Sequence, residues 1–492
     1  MAWLTKSRFM SGRQCAKRLW FEVNQPLGVE PPPSVPMLQG RAFDELVQQL
    51  EPGIIISRER GMPAAIAETR RIVQAGGAPL IYQPAFRNGN LAVIADILRR
   101  RGARTELVEV KASTSVKAEH VPDVAFQTLV LRGAKQPVEA VFIGHVDNSF
   151  VLQCPGEYAG IKIEREVTAE VEDRLPAIAE QALEFLALMA LHQVPDVVMG
   201  AQCNSPYACP FIERCSSEQG PGPEYPLEIL PRGAQRAAEL RAEGYEDLRQ
   251  VPAGKLSNEL HQRVHAATVS GVPFLDPAAA DLLNALPYPR SYLDFETMAF
   301  AVPEVIGTRP YEQWPFQFSL HIEESAGQVR HVEHLGIDRF AEFGRLAGAL
   351  VAALPLTGPV FVYNATLEAG VLRRLAAWLP TQRAALTAIL ERLFDLWPLT
   401  QQSYYHPAMR GSWSIKKVLP TIDATLAYEN LGEIGAGDAA QQAFLEWRNP
   451  KTSSERRQGL AEGLQRYCER DTWAMVVLRR FLSGEGVQPE AG

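Results

Sequence analysis

The sequence lacks long apolar runs. Within its 492 residues no run reaches the length of a membrane span, and the opening six residues lack the apolar core of a signal peptide. We therefore expect a soluble, cytoplasmic protein with no membrane partner.

A positive net charge is also lacking. The chain has 49 Lys and Arg against 57 Asp and Glu, a net charge of -8. This balance argues against a general electrostatic attraction for nucleic acid, but it does not exclude a local basic groove. Enzymes that act on phosphates can also bind their substrate through metal held at acidic centres. Cysteine is scarce too: the chain has six, and disulfides are not expected in a reducing compartment.

What is present indicates an ordinary globular composition, 46% hydrophobic and 22% charged. The chain is too long for one core, and strands alternate with helices, which predicts an α/β fold with more than one domain. A Gly- and Pro-rich stretch at 220–226 predicts a break. The predicted organisation is an N-terminal domain, a helical connector, a C-terminal domain and a tail: 1–220, 221–286, 287–484 and 485–492.

Two stretches in the N-terminal domain have the pattern of strands. Residues 91–98 form a buried-strand pattern that contains Asp96, and 106–112 form a second strand with Glu109 and Lys111 on one face. Such carboxylates can hold Mg²⁺ or Mn²⁺ against a phosphodiester, while the lysine orients the attacking water. A salt-bridged surface hairpin is the alternative.

An amphipathic helix predicted over 118–132 carries Gln127. The whole pattern resembles the RecB-like branch of the PD-(D/E)XK nucleases, which includes the CRISPR-associated exonucleases. The resemblance implies a restriction-endonuclease-like fold and a second hydrolytic centre, built from Asp96, Glu109, Lys111 and Gln127. Asp44 stands where this branch usually has a histidine on an early helix.

Four cysteines are spread over the same domain. Three lie in a Pro-containing loop and the fourth, Cys15, lies in a predicted short N-terminal helix. Their spacing is wider than in usual structural zinc pairs, so an iron–sulfur cluster, zinc and unligated thiols all remain open. The arrangement resembles the iron–sulfur staple of the RecB-like branch, which implies a 4Fe-4S cluster held by Cys15, Cys203, Cys209 and Cys215. Cys154 and Cys468 are interpreted as ordinary cysteines.

Acidic residues recur at defined places in the C-terminal domain. Asp294 and Glu296 share one face of a predicted strand, a pattern that by itself is typical of a solvated polar face. Glu368 follows the apolar strand 359–363, at the strand end where ligands gather in α/β sheets. Tyr467 and Asp471 lie one turn apart on the last predicted helix.

This order of motifs resembles the DEDDy 3′–5′ exonucleases of the DnaQ-like, RNase H-like group. The resemblance implies that two Mg²⁺ or Mn²⁺ ions are held by four acids, Asp294, Glu296, Glu368 and Asp471, with Tyr467 orienting water. Glu368 stands where that group usually has Asp. Residues 395–420 further resemble a bacterial domain-of-unknown-function family that joins a RecB-like half to this exonuclease-like half.

We therefore predict a metal-dependent nuclease that hydrolyses phosphodiester bonds at nucleic-acid ends. The expected activity is that of a 3′–5′ exonuclease on single-stranded DNA. Five aromatic residues are candidates for stacking on bases, and for most of them a core position is an equal alternative: Trp314, Trp397, Tyr404, Tyr405 and Trp413. Two alternatives remain open, an exonuclease acting on short RNA and a nucleic-acid-binding scaffold with a degenerate first site.

Overall fold

The computed structural model describes residues 2–28, 33–220, 222–336 and 340–485. It is a mixed α/β protein, with seventeen α-helices and sixteen strands in these residues. The chain divides into two compact units, the first comprising Met1–Pro221 and Phe300–Glu312, the second Gly222–Ala299 and Gln313–Gly492. None of the helices in the described ranges has the length and apolar character needed to cross a membrane. Of the predicted tail, 486–492 lie outside the described residues.

The first unit contains nine strands and seven helices. The strands are β1 Leu4–Thr5, β2 Ile54–Ile55, β3 Leu80–Tyr82, β4 Ala85–Asn88, β5 Leu91–Ile94, β6 Ile97–Arg101, β7 Arg104–Lys111, β8 Ala140–Val146 and β9 Lys162–Glu166. The helices are α1 Lys6–Gln14, α2 Ala16–Asn24, α3 Val35–Leu50, α4 Met62–Ala75, α5 His120–Gly133, α6 Thr168–Met189 and α7 Ile212–Gln219.

Two sheets form the framework of the first unit. The larger has the order β2-β3-β6-β7-β8-β9, and the smaller has the order β1-β5-β4. Strands β6 and β7 pair antiparallel, with Arg101 opposite Arg104 at the turn. The prediction of one strand over 91–98 is wrong, because the chain leaves the small sheet after Ile94 and enters the large sheet at Ile97. Asp96 lies at this transition, where its Oδ2 accepts a hydrogen bond from the Val110 N–H at 2.8 Å.

Helix α1 packs on α5, whose residues are buried on almost every side, and α2 packs on α6. The rings of Phe9 and Phe126 stack with their centroids 4.4 Å apart, so α1 is fixed against α5. The single helix expected around Cys15 is two helices, because the extended backbone of Cys15, with φ -163°, separates α1 from α2. The thiol of Cys15 therefore projects from a junction between helices.

The second unit contains seven strands and ten helices. The strands are β10 Phe274–Leu275, β11 Arg290–Ala299, β12 Gln313–Ser325, β13 Gln328–Leu335, β14 Val360–Val362, β15 Leu393–Asp395 and β16 Tyr404–Tyr405. The helices are α8 Ala234–Ala242, α9 Glu259–Ser270, α10 Ala278–Asn284, α11 Phe340–Ala353, α12 Thr366–Trp378, α13 Arg383–Leu390, α14 Leu396–Ser403, α15 Ile415–Val418, α16 Gly437–Arg448 and α17 Ser454–Leu482.

The central sheet of the second unit has the order β13-β12-β11-β14-β15. Strands β13, β12 and β11 pair antiparallel, whereas β14 and β15 run parallel to β11. Asp294 lies opposite Ser319, and Glu296 opposite Gln317, just before a register shift at Thr297. The two acids thus share one face of the strand, as their spacing predicts.

The long helix α17 packs on β11 and β12 and is tied to them by a buried ionic network. Glu323 on β12 accepts from two arginines of the helix, from Arg479 Nη2 at 2.9 Å and from Arg480 Nη2 at 2.8 Å. Arg479 Nε also donates to the hydroxyl of Tyr292 on β11, at 3.1 Å. These contacts fix the helix relative to the strand that carries Asp294.

Two segments group differently from the organisation predicted from the sequence. Residues 222–286 of the predicted connector, with α8 and α9, belong to the second unit. The segment Phe300–Glu312, within the predicted C-terminal domain, belongs to the first unit. There the Ala301 N–H donates to Gln39 Oε1 at 2.7 Å, and the Tyr158 hydroxyl donates to the Pro303 carbonyl at 3.1 Å.

Candidate active site

Five side chains predicted from the sequence come together in the second unit. Strand β11 supplies Asp294 and Glu296, the first turn of α12 supplies Glu368, and α17 supplies Tyr467 and Asp471 one turn apart. We call these five residues the carboxylate centre. All but Glu368 line a cavity of about 380 Å³, and Glu368 is buried, 2% exposed.

The acids of the carboxylate centre repel one another in a buried setting. Burial raises the pKa of Asp294 and of Glu296 well above its usual value, and the charge of Asp471 raises both further. Burial also raises the pKa of Glu368 to about 8 and that of Asp471 to about 6. Glu368 Oε2 is buried without a hydrogen-bond partner. Oxygen donors in this state fit a divalent cation, whose charge would relieve the repulsion.

Three further residues contribute to the carboxylate centre and were not predicted as site residues. Lys416 Nζ donates to the Tyr467 hydroxyl at 2.8 Å, and its charge lowers the pKa of Glu296 and Asp471 against the effect of burial. The Tyr428 hydroxyl donates to Asp471 Oδ1 at 2.5 Å. Lys416 lies in the 395–420 stretch that carried the family resemblance, whereas Tyr428 lies in a connecting segment with no motif.

Cys468 is the third of these residues, and its interpretation as an ordinary cysteine is incomplete. Its thiol is fully buried and lies 3.7 Å from Asp294 Oδ2. One ligand atom each from Asp294, Glu296 and Cys468 lie within 4.8 Å of one another. Burial and the charge of Asp294 raise the pKa of the thiol well above its usual value, so it remains protonated beside the acids.

Asp395 shapes the turn that places Glu368. Its carboxylate accepts from the N–H groups of Asn364 and Ala365, at 2.9 and 3.0 Å, and caps α14 through the Trp397 N–H. Asn364 has φ 68°, a left-handed conformation that asparagine tolerates better than most residues. Asp395 at the end of β15 therefore holds the turn after β14. This turn places the first turn of α12, which carries Glu368, beside β11.

The aromatic residues proposed for base stacking are mostly core residues. Four of the five are between 0% and 4% exposed: Trp314, Tyr404, Tyr405 and Trp413. Trp413 Nε1 donates to the Tyr404 carbonyl at 2.7 Å, which is a packing role. These four therefore take the core alternative, because their rings have almost no exposed surface to offer a base. Trp397 is half-buried.

The predicted residues of the first unit also meet. Glu109 is fully buried, its Oε1 accepting from Lys111 Nζ at 2.6 Å and from Lys6 Nζ at 2.8 Å. Its Oε2 accepts from Gln127 Nε2 at 2.7 Å. The charges of both lysines outweigh burial and lower the pKa of Glu109 well below its usual value. Lys6 is the first residue of α1, and no sequence motif predicted it as a site residue.

Three acids surround this pair of lysines. Lys111 Nζ donates to Asp123 Oδ2 at 2.5 Å. Burial and the charge of Glu109 raise the pKa of Asp96 well above its usual value, and raise that of Asp44 to about 6. Asp44, which stands in place of the histidine of the RecB-like branch, is thus within electrostatic reach of the predicted site. These oxygens fit a divalent cation as well, although two ammonium groups already share their charge.

The four predicted cysteines gather at one end of the first unit. Gln14 Nε2, next to Cys15, donates to the carbonyls of Gln202 and Tyr207, both at 2.7 Å, which ties the helix junction to the cysteine loop. Burial raises the pKa of Cys209 and of Cys215, and the Cys15 thiol raises each further. Cys209 and Cys215 pack against the aromatic side chains Trp20, Phe21 and Phe211.

The spacing of the sulfur atoms can be compared with what a zinc ion requires. A zinc ion bound tetrahedrally by thiolates holds its sulfur atoms about 3.8 Å apart, since each Zn–S bond is about 2.3 Å. Among the described residues, which include all four cysteines, no three of these sulfurs lie within 4.8 Å of one another. The sulfurs are therefore farther apart than a bound zinc ion would hold them, and an iron–sulfur cluster and unligated thiols both remain open.

Comparison with known proteins identifies relatives without a stated activity. Residues 291–414, which include Asp294, Glu296 and Glu368, match the family described as a domain of unknown function, DUF2779. "Uncharacterized protein MG366 homolog" of Mycoplasma pneumoniae is 29% identical over 214 residues, 39% of this chain and 32% of the relative. "Uncharacterized protein MG366" of Mycoplasma genitalium is 27% identical over 219 residues, 40% of this chain and 32% of the relative.

"Uncharacterized protein UU173" of Ureaplasma parvum is 26% identical over 227 residues, 42% of this chain and 33% of the relative. Each match thus spans about a third of the length of the curated relative. The similarity to a domain-of-unknown-function family is therefore shown for residues 291–414, and neither the family's description nor the relatives' names state an activity.

Proposed function

We propose that the protein is a Mg²⁺- or Mn²⁺-dependent nuclease acting at nucleic-acid ends, with its chemistry at the carboxylate centre. The observation that carries the proposal is the convergence of four buried or half-buried acids and Tyr467 beside one open cavity. Acids placed this close raise one another's pKa values, a cost that a structural role would not require. Phosphodiester hydrolysis by two metal ions does require such a set of oxygen ligands.

The second unit is proposed to have an RNase H-like, DnaQ-like fold. Its support is the order of the motifs: Asp294 and Glu296 on the central strand, Glu368 directly after a parallel strand, Tyr467 and Asp471 on the last helix. This is the order on which the resemblance to the DEDDy exonucleases rests.

Each residue of the carboxylate centre has a defined task in this proposal. Bound Mg²⁺ or Mn²⁺ would lower the pKa of the attacking water and neutralise charge on the leaving 3′ oxygen. Glu368 and Asp471 have to lose their protons before they can bind, so metal binding competes with protons at both. Burial raises the pKa of Tyr467, which therefore stays protonated and acts by donating a hydrogen bond. Lys416 holds its hydroxyl in position.

The first unit is proposed as a PD-(D/E)XK, RecB-like domain with a second hydrolytic centre. Asp96 and Glu109 would hold its metal, while Lys111 would orient water. Gln127 keeps Glu109 oriented through its 2.7 Å hydrogen bond. A 4Fe-4S cluster bound by Cys15, Cys203, Cys209 and Cys215 would join the N-terminal helices to the loop beyond α6.

One observation favours the scaffold alternative for the first unit. Glu109 already forms hydrogen bonds with Lys6, Lys111 and Gln127, so it can serve as a structural ion pair without metal. In that case the first unit would only bind nucleic acid, and all cleavage would come from the carboxylate centre. The preferred substrate is single-stranded DNA, with short RNA as the second candidate.

An end-labelled nuclease assay tests these assignments together. Single- and double-stranded DNA and RNA are incubated with Mg²⁺ or Mn²⁺ and wild type, Asp294→Asn or Lys111→Ala. Glu462→Gln, an exposed acid on α17, is the matched control. Loss of cleavage with Asp294→Asn alone supports the carboxylate centre and the scaffold alternative for the first unit. If neither Asp294→Asn nor Lys111→Ala reduces cleavage, the nuclease proposal is wrong for both centres.

A further inference from the structure

Two histidines and a glutamate meet in the second unit outside the carboxylate centre. His321 on β12 and His331 on β13 are paired across the strands, and Glu469 lies on α17. One ligand atom from each lies within 4.8 Å of the other two. We call these three residues the histidine cluster. The nuclease chemistry proposed above uses none of them.

Each imidazole is oriented through one nitrogen by a hydroxyl group. His321 Nδ1 lies 2.8 Å from Thr472 Oγ1, and His331 Nε2 lies 2.8 Å from Ser319 Oγ. The two hydroxyls are themselves 2.7 Å apart, and the rings stack at 4.5 Å. With these bonds kept, the nitrogens open to a ligand are Nε2 of His321 and Nδ1 of His331. Histidines that bind metal are oriented in this way through their other nitrogen.

The contact between His331 and Glu469 is not explained as an ordinary ion pair. His331 Nδ1 and Glu469 Oε1 are 3.5 Å apart, too long for a good hydrogen bond. The two side chains therefore lie close together without a direct hydrogen bond to hold them.

A bound metal ion would account for this distance. Ligand bonds of about 2.0–2.2 Å at tetrahedral angles separate a histidine nitrogen and a carboxylate oxygen by about 3.4 Å. Glu333, two residues after His331 on β13, lies outside the group of ligand atoms within 4.8 Å of one another, so water would complete the coordination.

We propose that the histidine cluster binds a zinc-class transition-metal ion through His321, His331 and Glu469, with water as the fourth ligand. Two imidazoles favour zinc over Mg²⁺ or Ca²⁺, which prefer oxygen ligands throughout. The ion would join β12 and β13 to α17, the helix that also carries Tyr467 and Asp471. It would be a structural metal ion that holds α17 in place beside the carboxylate centre, separate from the catalytic metals.

Metal binding without substrate tests this proposal. Zn²⁺ is titrated into full-length wild type in competition with a chromophoric chelator. The protein is prepared anaerobically so that its thiols are not oxidised. The variants Glu469→Gln and His331→Ala are expected to lose one zinc equivalent, or to bind it at least 10–100-fold more weakly. Thr472→Val, which keeps the side-chain shape, is expected to weaken it by about 10–100-fold, because it removes the hydroxyl that orients His321.

Two controls locate the ion. His192→Ala removes an exposed histidine of the first unit, and Asp294→Asn removes a ligand of the carboxylate centre. Both should retain the equivalent that Glu469→Gln loses. Equal stoichiometry and affinity in wild type and Glu469→Gln would overturn the proposal, as would loss of that equivalent with Asp294→Asn. Because no substrate is present, failure of the nuclease proposal leaves this result unaffected.

Discussion

Replacing Glu368 by Gln should stabilise the metal-free protein at high pH while abolishing its activity. Glu368 is 2% exposed, and burial raises its pKa from 4.5 to about 8. Between these values the unfolded chain releases the proton while the folded protein keeps it. The stability that Glu368 contributes is thus complete below about pH 4.5 and is lost as the pH rises through about 8.

The size of the effect follows from the shift in pKa. A difference between 4.5 and about 8, at about 1.4 kcal/mol for each pKa unit, corresponds to roughly 5 kcal/mol at most. Glutamine has nearly the same shape and no charge at any pH. Glu368→Gln should therefore match wild type near pH 5 and exceed it by a few kcal/mol near pH 9.

Urea unfolding in a metal chelator measures this difference. Six of the eight tryptophans lie in the second unit, so their fluorescence reports mainly on the unit that contains Glu368. Glu462→Gln serves as the control for removing an exposed charge from α17. Adding Mn²⁺ near pH 9 should stabilise wild type more than Glu368→Gln. The reasoning fails if Glu368→Gln is no more stable than wild type near pH 9, or if it gains equally near pH 5.

Three other predictions concern the remaining sites. Tyr467→Phe should lower kcat by about 100-fold and leave metal affinity unchanged, because only a hydrogen-bond donor is removed; an equal loss of Mn²⁺ affinity would contradict this. Lys111→Met should destabilise the first unit by about 3 kcal/mol, since it leaves Asp123 and Glu109 short of a buried cation, and unchanged urea unfolding would refute it. Anaerobic preparations should be brown with about four iron atoms per chain, and Cys15→Ser should lose them; stoichiometric zinc without iron would overturn the cluster assignment.

The parts of the site that follow a period were predictable from the sequence. Asp294 and Glu296 share a face because side chains alternate along a strand, and Tyr467 and Asp471 because four residues make about one helical turn. Glu368 followed from its place after an apolar strand. Local geometry fixes each of these relations, whatever the tertiary packing.

The parts that depend on tertiary packing were not predictable. Lys416 and Tyr428 reach the carboxylate centre from short helical turns, and Lys6 reaches Glu109 across 103 positions of sequence. No periodic pattern encodes such contacts. The stretch 91–98 is apolar apart from Asp96, so the sequence contains no sign of the change of sheet at that residue.

The buried network at the end of α17 makes the chain unequally tolerant of substitution. Arg479 retains Glu485 Oε1 at 2.5 Å, besides the Tyr292 hydroxyl, when Glu323 is removed. Within the described residues, the side-chain hydrogen bonds of Arg480 all go to Glu323. Replacing Glu323 would leave two buried arginines with too little negative charge near them. Replacing Arg480 costs less stability, because Glu323 would still be paired with Arg479. Among natural variants of this fold, position 323 should therefore vary less than positions 479 and 480. Any variant that loses the acid at 323 should also lose one of the two arginines.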